Sequence, residues 1–373
     1  MASASDTTPK TPASERIVSV DALRGFDMFW IIGGQPVVLA LAVLVAGPLP
    51  DWLTEQFAHP PWNGFSAWDM IMPLFLFTVG IVIPFSFAKR IVRGDGKLAI
   101  YRKIVWRTIV LFVLGMAAQG HLLDFDLGTL KIYCNTLQAI ACGYCLAAII
   151  MLNLSIVGQI VATVGLLVGY WELMMVVPVP GEVAGLLQRH VNLARYVDQV
   201  VMGSFRPDND YTWILSGMTF TATVLLGVMA GHLLRSAWRP SLKLLWLLVA
   251  GAACLGLGWI WSFWFPINKH IWSSSMTLWS AGWSYLLLAL FYLVIDVWGF
   301  RKWAFPFVVI GSNAIFVYML THLIRVGQIS DPLVSGIARH CDSAGELVKA
   351  AAALLLVWLV LLYMYRKKTF VRV

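Results

Sequence analysis

Long apolar runs, interrupted by short polar or basic stretches, set the pattern of this chain. A helix needs about 20 mostly apolar residues to cross the hydrocarbon layer of a bilayer. The runs that approach this length are 22–46, 68–88, 104–120, 134–152, 155–177, 212–234, 243–264, 273–297, 303–325 and 346–365. The pattern therefore predicts an all-α polytopic membrane protein, a bundle of about ten transmembrane helices. Only "NLS" separates the fourth run from the fifth, which predicts a tight helical hairpin. Glycine and proline occur inside several runs, and membrane helices tolerate both. Two glycine-bearing stretches, "FTVGIVIPF" and "LLGVMAGHLL", predict close helix packing rather than nucleotide loops.

Composition agrees with this pattern. The 373 residues are 60% hydrophobic and only 12% charged, against roughly 25% charged in a soluble domain. Many of the 18 tryptophans stand near the ends of apolar runs, where the indole suits the headgroup region. The net charge of +8 does not indicate a nucleic-acid partner, because the basic residues gather in particular loops between the runs. Residues 1–15, "MASASDTTPKTPASE", are expected to form a disordered cytoplasmic N-terminus with no signal peptide. Residues 16–365 are then the membrane domain and 366–373 a basic cytoplasmic tail. The five cysteines form no disulfide framework. Cys142 and Cys145 make a C-x-x-C on an apolar helical stretch without a second ligand pair, and read as small packing residues. No Walker, G-x-S-x-G or H-E-x-x-H pattern occurs, so no metal is expected.

The basic residues predict an orientation. Loop 89–107 carries Lys89, Arg90, Arg93, Lys97, Arg102, Lys103 and Arg107, and later loops and the tail add more on the same side. Residues 47–67 contain neither Lys nor Arg. By the positive-inside rule both termini are cytoplasmic and 47–67 faces the outside.

Polar groups in such a chain are costly and each has two readings. Asp21, Arg24 and Asp27 share a helical face. They form either an internal salt-bridged stripe or a cytoplasmic mouth at which Arg24 holds an anionic ligand. His59, in "HPPWNGFSAWDM", is either an exposed loop histidine or a base. Asp69 opens the next helix, where a carboxylate suits the helix dipole. From there it can accept from one ring nitrogen of His59 and leave the other as a base. The basic loop 89–107 suits topology and lipid contact, or a polyanion such as a nucleotide cofactor. Asn268 and Lys269, in "FPINKHIWS", fall on the same face as His59.

Four ordered segments carry a resemblance: "RIVSVDALRGFDMFWIIGG", "HPPWNGFSAWDMIMPLFLFTVG", "KIVWRTIVLFVLGM" and "PINKHIWSSS". Spread over about residues 16–365, the chain resembles the heparan-α-glucosaminide N-acetyltransferase family. The resemblance implies acetyl transfer from cytoplasmic acetyl-CoA to an amino sugar on the far side of the membrane. It implies that His59 is catalytic with Asp69 beside it, that Trp106 and Arg107 serve the cofactor, and that Asn268, Lys269 and Trp272 serve the acceptor. Arg24 and Lys103 join Arg107 as the basic groups expected to hold coenzyme A. Many members carry an asparagine in the outer half of the first helix, where this chain has Gly33, Gly34 and Gln35. Gln35 then takes that place toward the acceptor. The resemblance favours a free or short glucosamine-type acceptor over heparan sulfate, and a bacterial inner membrane location among membrane lipids.

On this expectation neutral His59 takes the proton of the attacking amine, and Asn63 or Lys269 donates to the oxyanion. Direct transfer and an acyl-histidine intermediate both remain open, as does a homodimer. The rivals are a secondary transporter of a sugar or amino sugar and a non-catalytic scaffold.

Overall fold

The computed structural model describes residues 17–371, with the side chain of Asp342 excepted. The expected N-terminal disorder lies outside the described residues. The described chain is helical, and no strand forms within it. Eight helices are long and apolar enough to cross a membrane: Val18–Ala46, Ala67–Val92, Thr136–Asn153, Ile156–Val176, Gly217–Arg235, Pro240–Trp261, Ser274–Val297 and Gly345–Arg366. This makes the chain an integral membrane protein. A ninth span is counted if Phe305–Gly311 and Ala314–Leu323, bent by 74° at their junction, are taken as one.

The count differs from ten because of the 104–120 run. It lies in a 23-residue helix, Lys97–Gln119, whose first half carries Lys97, Arg102, Lys103 and Arg107. That charge takes the helix out of the set that qualifies by composition. The other departures from straight spans have local causes. The first span carries a π-helical turn at Trp30–Gly34, with Gly33 at φ 126°. Gly33 adopts that angle without a Cβ penalty, and Pro36, lacking an N–H, cannot donate back into the preceding turn. The 303–325 run breaks at Asn313, whose side chain donates to the Thr369 carbonyl at 3.2 Å and accepts from Val371 N at 2.9 Å. Two further helices occupy expected loops, Leu193–Met202 and Val326–His340. Pro332 lies within the second.

The 67–92, 217–235 and 274–297 helices are the most buried of the spans, while 156–176, 240–261 and 345–366 lie at the periphery. The two glycine-bearing stretches meet each other at the centre. A Cβ on Gly80 would collide with the Val224 carbonyl oxygen, and one on Gly227 or Gly231 with the carbonyl of Phe77 or Ile81. Backbone thus packs on backbone, as small residues permit between membrane helices. The expected hairpin turns through Leu154 and Ser155, the Ser155 hydroxyl capping the second helix at Gly158 N, 3.3 Å away. All five cysteines are free.

Candidate functional site

The site grows from the start of the 67–92 helix. Ser66 and Asp69 form a capping box: Asp69 Oδ2 accepts from the Ser66 backbone N at 3.1 Å and from its hydroxyl at 3.3 Å. The spacing S-x-x-D satisfies N–H groups that the first turn leaves open. It also turns the other carboxylate oxygen toward the preceding loop. There Oδ1 meets His59 Nδ1 at 2.6 Å and Lys269 Nζ at 3.3 Å. Asp69 is buried, while 39% of the His59 side chain is exposed. An ionised Asp69 accepts from Nδ1–H, which selects the tautomer with a basic Nε2.

A second loop holds this first one from the far half of the chain. Asn268 donates to Asn63 Oδ1 at 3.0 Å, and Gly64 N donates to the Ile267 carbonyl at 2.9 Å. The 266–273 loop is itself clamped. The Ser273 hydroxyl donates to the Pro266 carbonyl, Thr212 N donates to the His270 carbonyl, and Tyr170 and Ser216 both donate to the Ile271 carbonyl. Trp272, at φ 46°, is one of four described non-glycine residues with positive φ. Its indole is 1% exposed, packs edge-on against Phe220 and donates to Thr223 Oγ1 at 3.3 Å. Strain of this kind persists only where the surroundings over-determine the backbone.

Lys269 is buried, and burial depresses its proton affinity, with Asp69 first and Asp27 second pulling it back up. His270 lies flat between Trp62 and Tyr211, with ring centroids 5.1 Å and 4.8 Å away. Its Nδ1 is buried with no partner among the described residues. Burial holds its pKa below the usual histidine value, so its ring is neutral at neutral pH.

The structure thus brings together His59, Asp69, Asn63, Asn268 and Lys269, while the indole of Trp272, from the same loop as Lys269, packs away on Phe220 and Thr223. Gln35 reaches the same loop from the turn at Gly33, its side-chain N–H donating to the Phe57 carbonyl at 3.0 Å. The groups expected to hold the cofactor lie apart from these and are divided. Lys103 and Trp106 line an outward cavity of about 730 Å³ with Arg90 and Arg102. Arg107 turns inward and stacks over the Tyr144 ring, 4.4 Å from its centroid, with its Nε unpartnered among the described residues. Arg24 is half-buried on the first helix. The Asp21–Arg24–Asp27 stripe does not close at Asp27, whose oxygens have no hydrogen-bond partner among the described residues.

Two residues were not singled out from the sequence. Ser66 was visible as the first residue of a capping-box spacing, whereas His270 carried no such signal, since its stacking partners come from distant segments.

No protein-family model matches the chain. Heparan-alpha-glucosaminide N-acetyltransferase of Homo sapiens is 26% identical over 368 residues, covering 82% of this chain and 52% of that protein. The Mus musculus protein of the same name is 25% identical over 379 residues, covering 84% of this chain and 55% of that protein. The chain spans about half the length of the curated relatives it matches. Aligned with both over more than four-fifths of its length, the chain is a family-level relative of heparan-alpha-glucosaminide N-acetyltransferase.

Proposed function

We propose that the protein is a membrane acetyltransferase that moves an acetyl group from acetyl-CoA at its basic, cytoplasmic end to an amino sugar at the opposite, outer end. The observation that carries this reading is the His59–Asp69 pair at 2.6 Å, exposed at the histidine and buried at the carboxylate. His59 Nε2 takes the proton of the acceptor amine as nitrogen attacks the thioester carbonyl. Asp69 stabilises the imidazolium that results, and the thiolate of coenzyme A leaves and is protonated. Such base catalysis contributes on the order of 10²–10⁴-fold. Asn63 spends its oxygen on Asn268, which directs its NH₂ group to other acceptors. That makes Asn63, rather than the ion-paired Lys269, the donor we assign to the oxyanion.

The nucleotide end of acetyl-CoA suits the cavity lined by Arg90, Arg102, Lys103 and Trp106, where phosphates meet cations and the base meets an indole. Asp69 and Arg90 stand at opposite ends of the 67–92 helix, about 30 Å apart at helical rise. The acetyl group therefore has to penetrate the bundle. Arg107, facing inward over Tyr144, is where the phosphate end can sink.

The bend at Asn313 and the wide turn at Gly33 are the features that favour a transporter instead, since broken helices line many transport sites. Asn313, however, is engaged by the chain's own segment at Thr369 and Val371. One assay separates the readings. Proteoliposomes receive radiolabelled acetyl-CoA on the face carrying loop 89–107 and glucosamine or a short amino sugar on the other. Labelled N-acetyl product on the acceptor side is the expected result. Acceptor that crosses the membrane unmodified, with no product, overturns the reading.

A further inference from the structure

A cavity of about 600 Å³ lies behind the His59 loop, between the first helix, residues 56–71 and the 259–287 hairpin. Its walls are aromatic and aliphatic, with Phe26, Trp30, Trp68, Trp279 and Trp283 prominent among them. Asp27 and Gln56 are the polar side chains in that lining, and Gln56 already accepts from Ala67 N at 3.1 Å. Asp27 is 1% exposed, and neither carboxylate oxygen has a hydrogen-bond partner among the described residues. The nearby ammonium of Lys269 is bound to Asp69 at 3.3 Å. An ionised carboxylate in such surroundings needs a positive partner, and without one the group takes up a proton.

We propose that this cavity is a binding site for an organic ammonium ion with an apolar body, and that Asp27 is the counter-charge of its nitrogen. The charge of the ligand supplies the partner that the described residues do not, and indole faces add attraction for a cation. The volume falls in the range of small-molecule pockets, and its apolar lining suits a hydrocarbon or aromatic body. A sugar ring buried there would leave most hydroxyls without partners, at a cost for each. Trp259 and Trp283 are exposed on the flank of the bundle, so the ligand enters from the bilayer interface, where amphiphilic amines accumulate. The site is separate from the exposed ring of His59, and it stands whether or not acetyl transfer does.

The test is a binding measurement on the full chain in phosphatidylcholine nanodiscs, read by tryptophan fluorescence against empty discs. The probes are 4-phenylbutylamine, the equally long 4-phenylbutanol, and glucosamine. The amine is expected to bind about tenfold more tightly than the alcohol, and glucosamine more weakly than either. Asp27→Asn keeps the shape of the side chain and is expected to bring amine and alcohol within about twofold of each other. Its thermal unfolding midpoint, equal to or above wild type, shows that the fold is intact. Equal affinity of the wild type for amine and alcohol overturns the proposal without any variant. So do absence of binding, tightest binding of glucosamine, or an amine preference that survives Asp27→Asn.

Discussion

The two ends of the bundle handle charge in opposite ways. Around His59, the charged groups Asp69 and Lys269 are buried and committed to each other and to their neighbours. Asp69 takes His59, Lys269 and two donors of Ser66, and a loop more than 200 residues away in sequence is stitched to the same place through Asn63 and Asn268. At the end carrying loop 89–107, Lys and Arg are numerous and mostly exposed, and the cavity of Arg90, Arg102 and Lys103 pairs them with few acids, the Arg90–Asp95 contact at 3.1 Å being an exception. On the proposed function the difference separates two tasks. Preorganised, desolvated groups act on a reacting atom without reorganising. Dispersed, solvated cations attract a flexible polyanion and tolerate its motion, but act weakly on any one atom.

The severest way to break this comparison is His59→Ala. It is expected to lower acetyl transfer by about 10²–10⁴-fold while leaving coenzyme A binding by calorimetry unchanged. Wild-type turnover in this variant would reduce the pair to a loop contact. Next in size, Lys269→Met removes the cation from a buried pair, and should cost on the order of 3 kcal/mol of stability. Thermal melting in nanodiscs checks it, and a melt unchanged from wild type would mean that Asp69 is held by Ser66 and His59 alone.

At the other end effects should be smaller and salt-dependent. The double change Arg102→Ala, Lys103→Ala is expected to weaken coenzyme A binding by about tenfold at low salt, with the gap to wild type closing as salt rises. A salt-independent loss would indicate a committed site like that of Asp69. The smallest expected effect concerns pH. Folding holds the His270 pKa below its unfolded value. As pH falls from about 7.5 to about 5.5, the unfolded chain binds a proton there that the folded chain resists, and stability declines. His270→Phe, which keeps a ring between Trp62 and Tyr211, should flatten that part of the melting-temperature profile. An unchanged slope would assign the acid sensitivity to other groups.

Much of the His59 end was legible because its first links are local. Asp69 follows His59 by ten residues and Ser66 by three, within reach of a loop and a capping box. The stretch "GGQP" held the cue to the wide turn at Gly33, yet a run counted by hydropathy reads through it. The same is true of the bend at Asn313. The 104–120 run was counted on its apolar part alone, without the basic turns that precede it in the same helix. Asn63–Asn268 and the Trp62–His270–Tyr211 stack were out of reach, since each joins segments whose approach depends on how the bundle closes.

The sequence by itself determined the elements: apolar length makes the helices, glycine pairs let two of them touch at the centre, and caps and prolines end or turn them. Which face of each helix points inward was decided only by the tertiary structure. A helix apolar on nearly every side has no stripe to reveal its buried face. That is why Asp27 could not be seen in advance as the carboxylate left without a partner inside an aromatic cavity, and Lys269 meets Asp69 only because the closed bundle brings the 266–273 loop to the His59 loop.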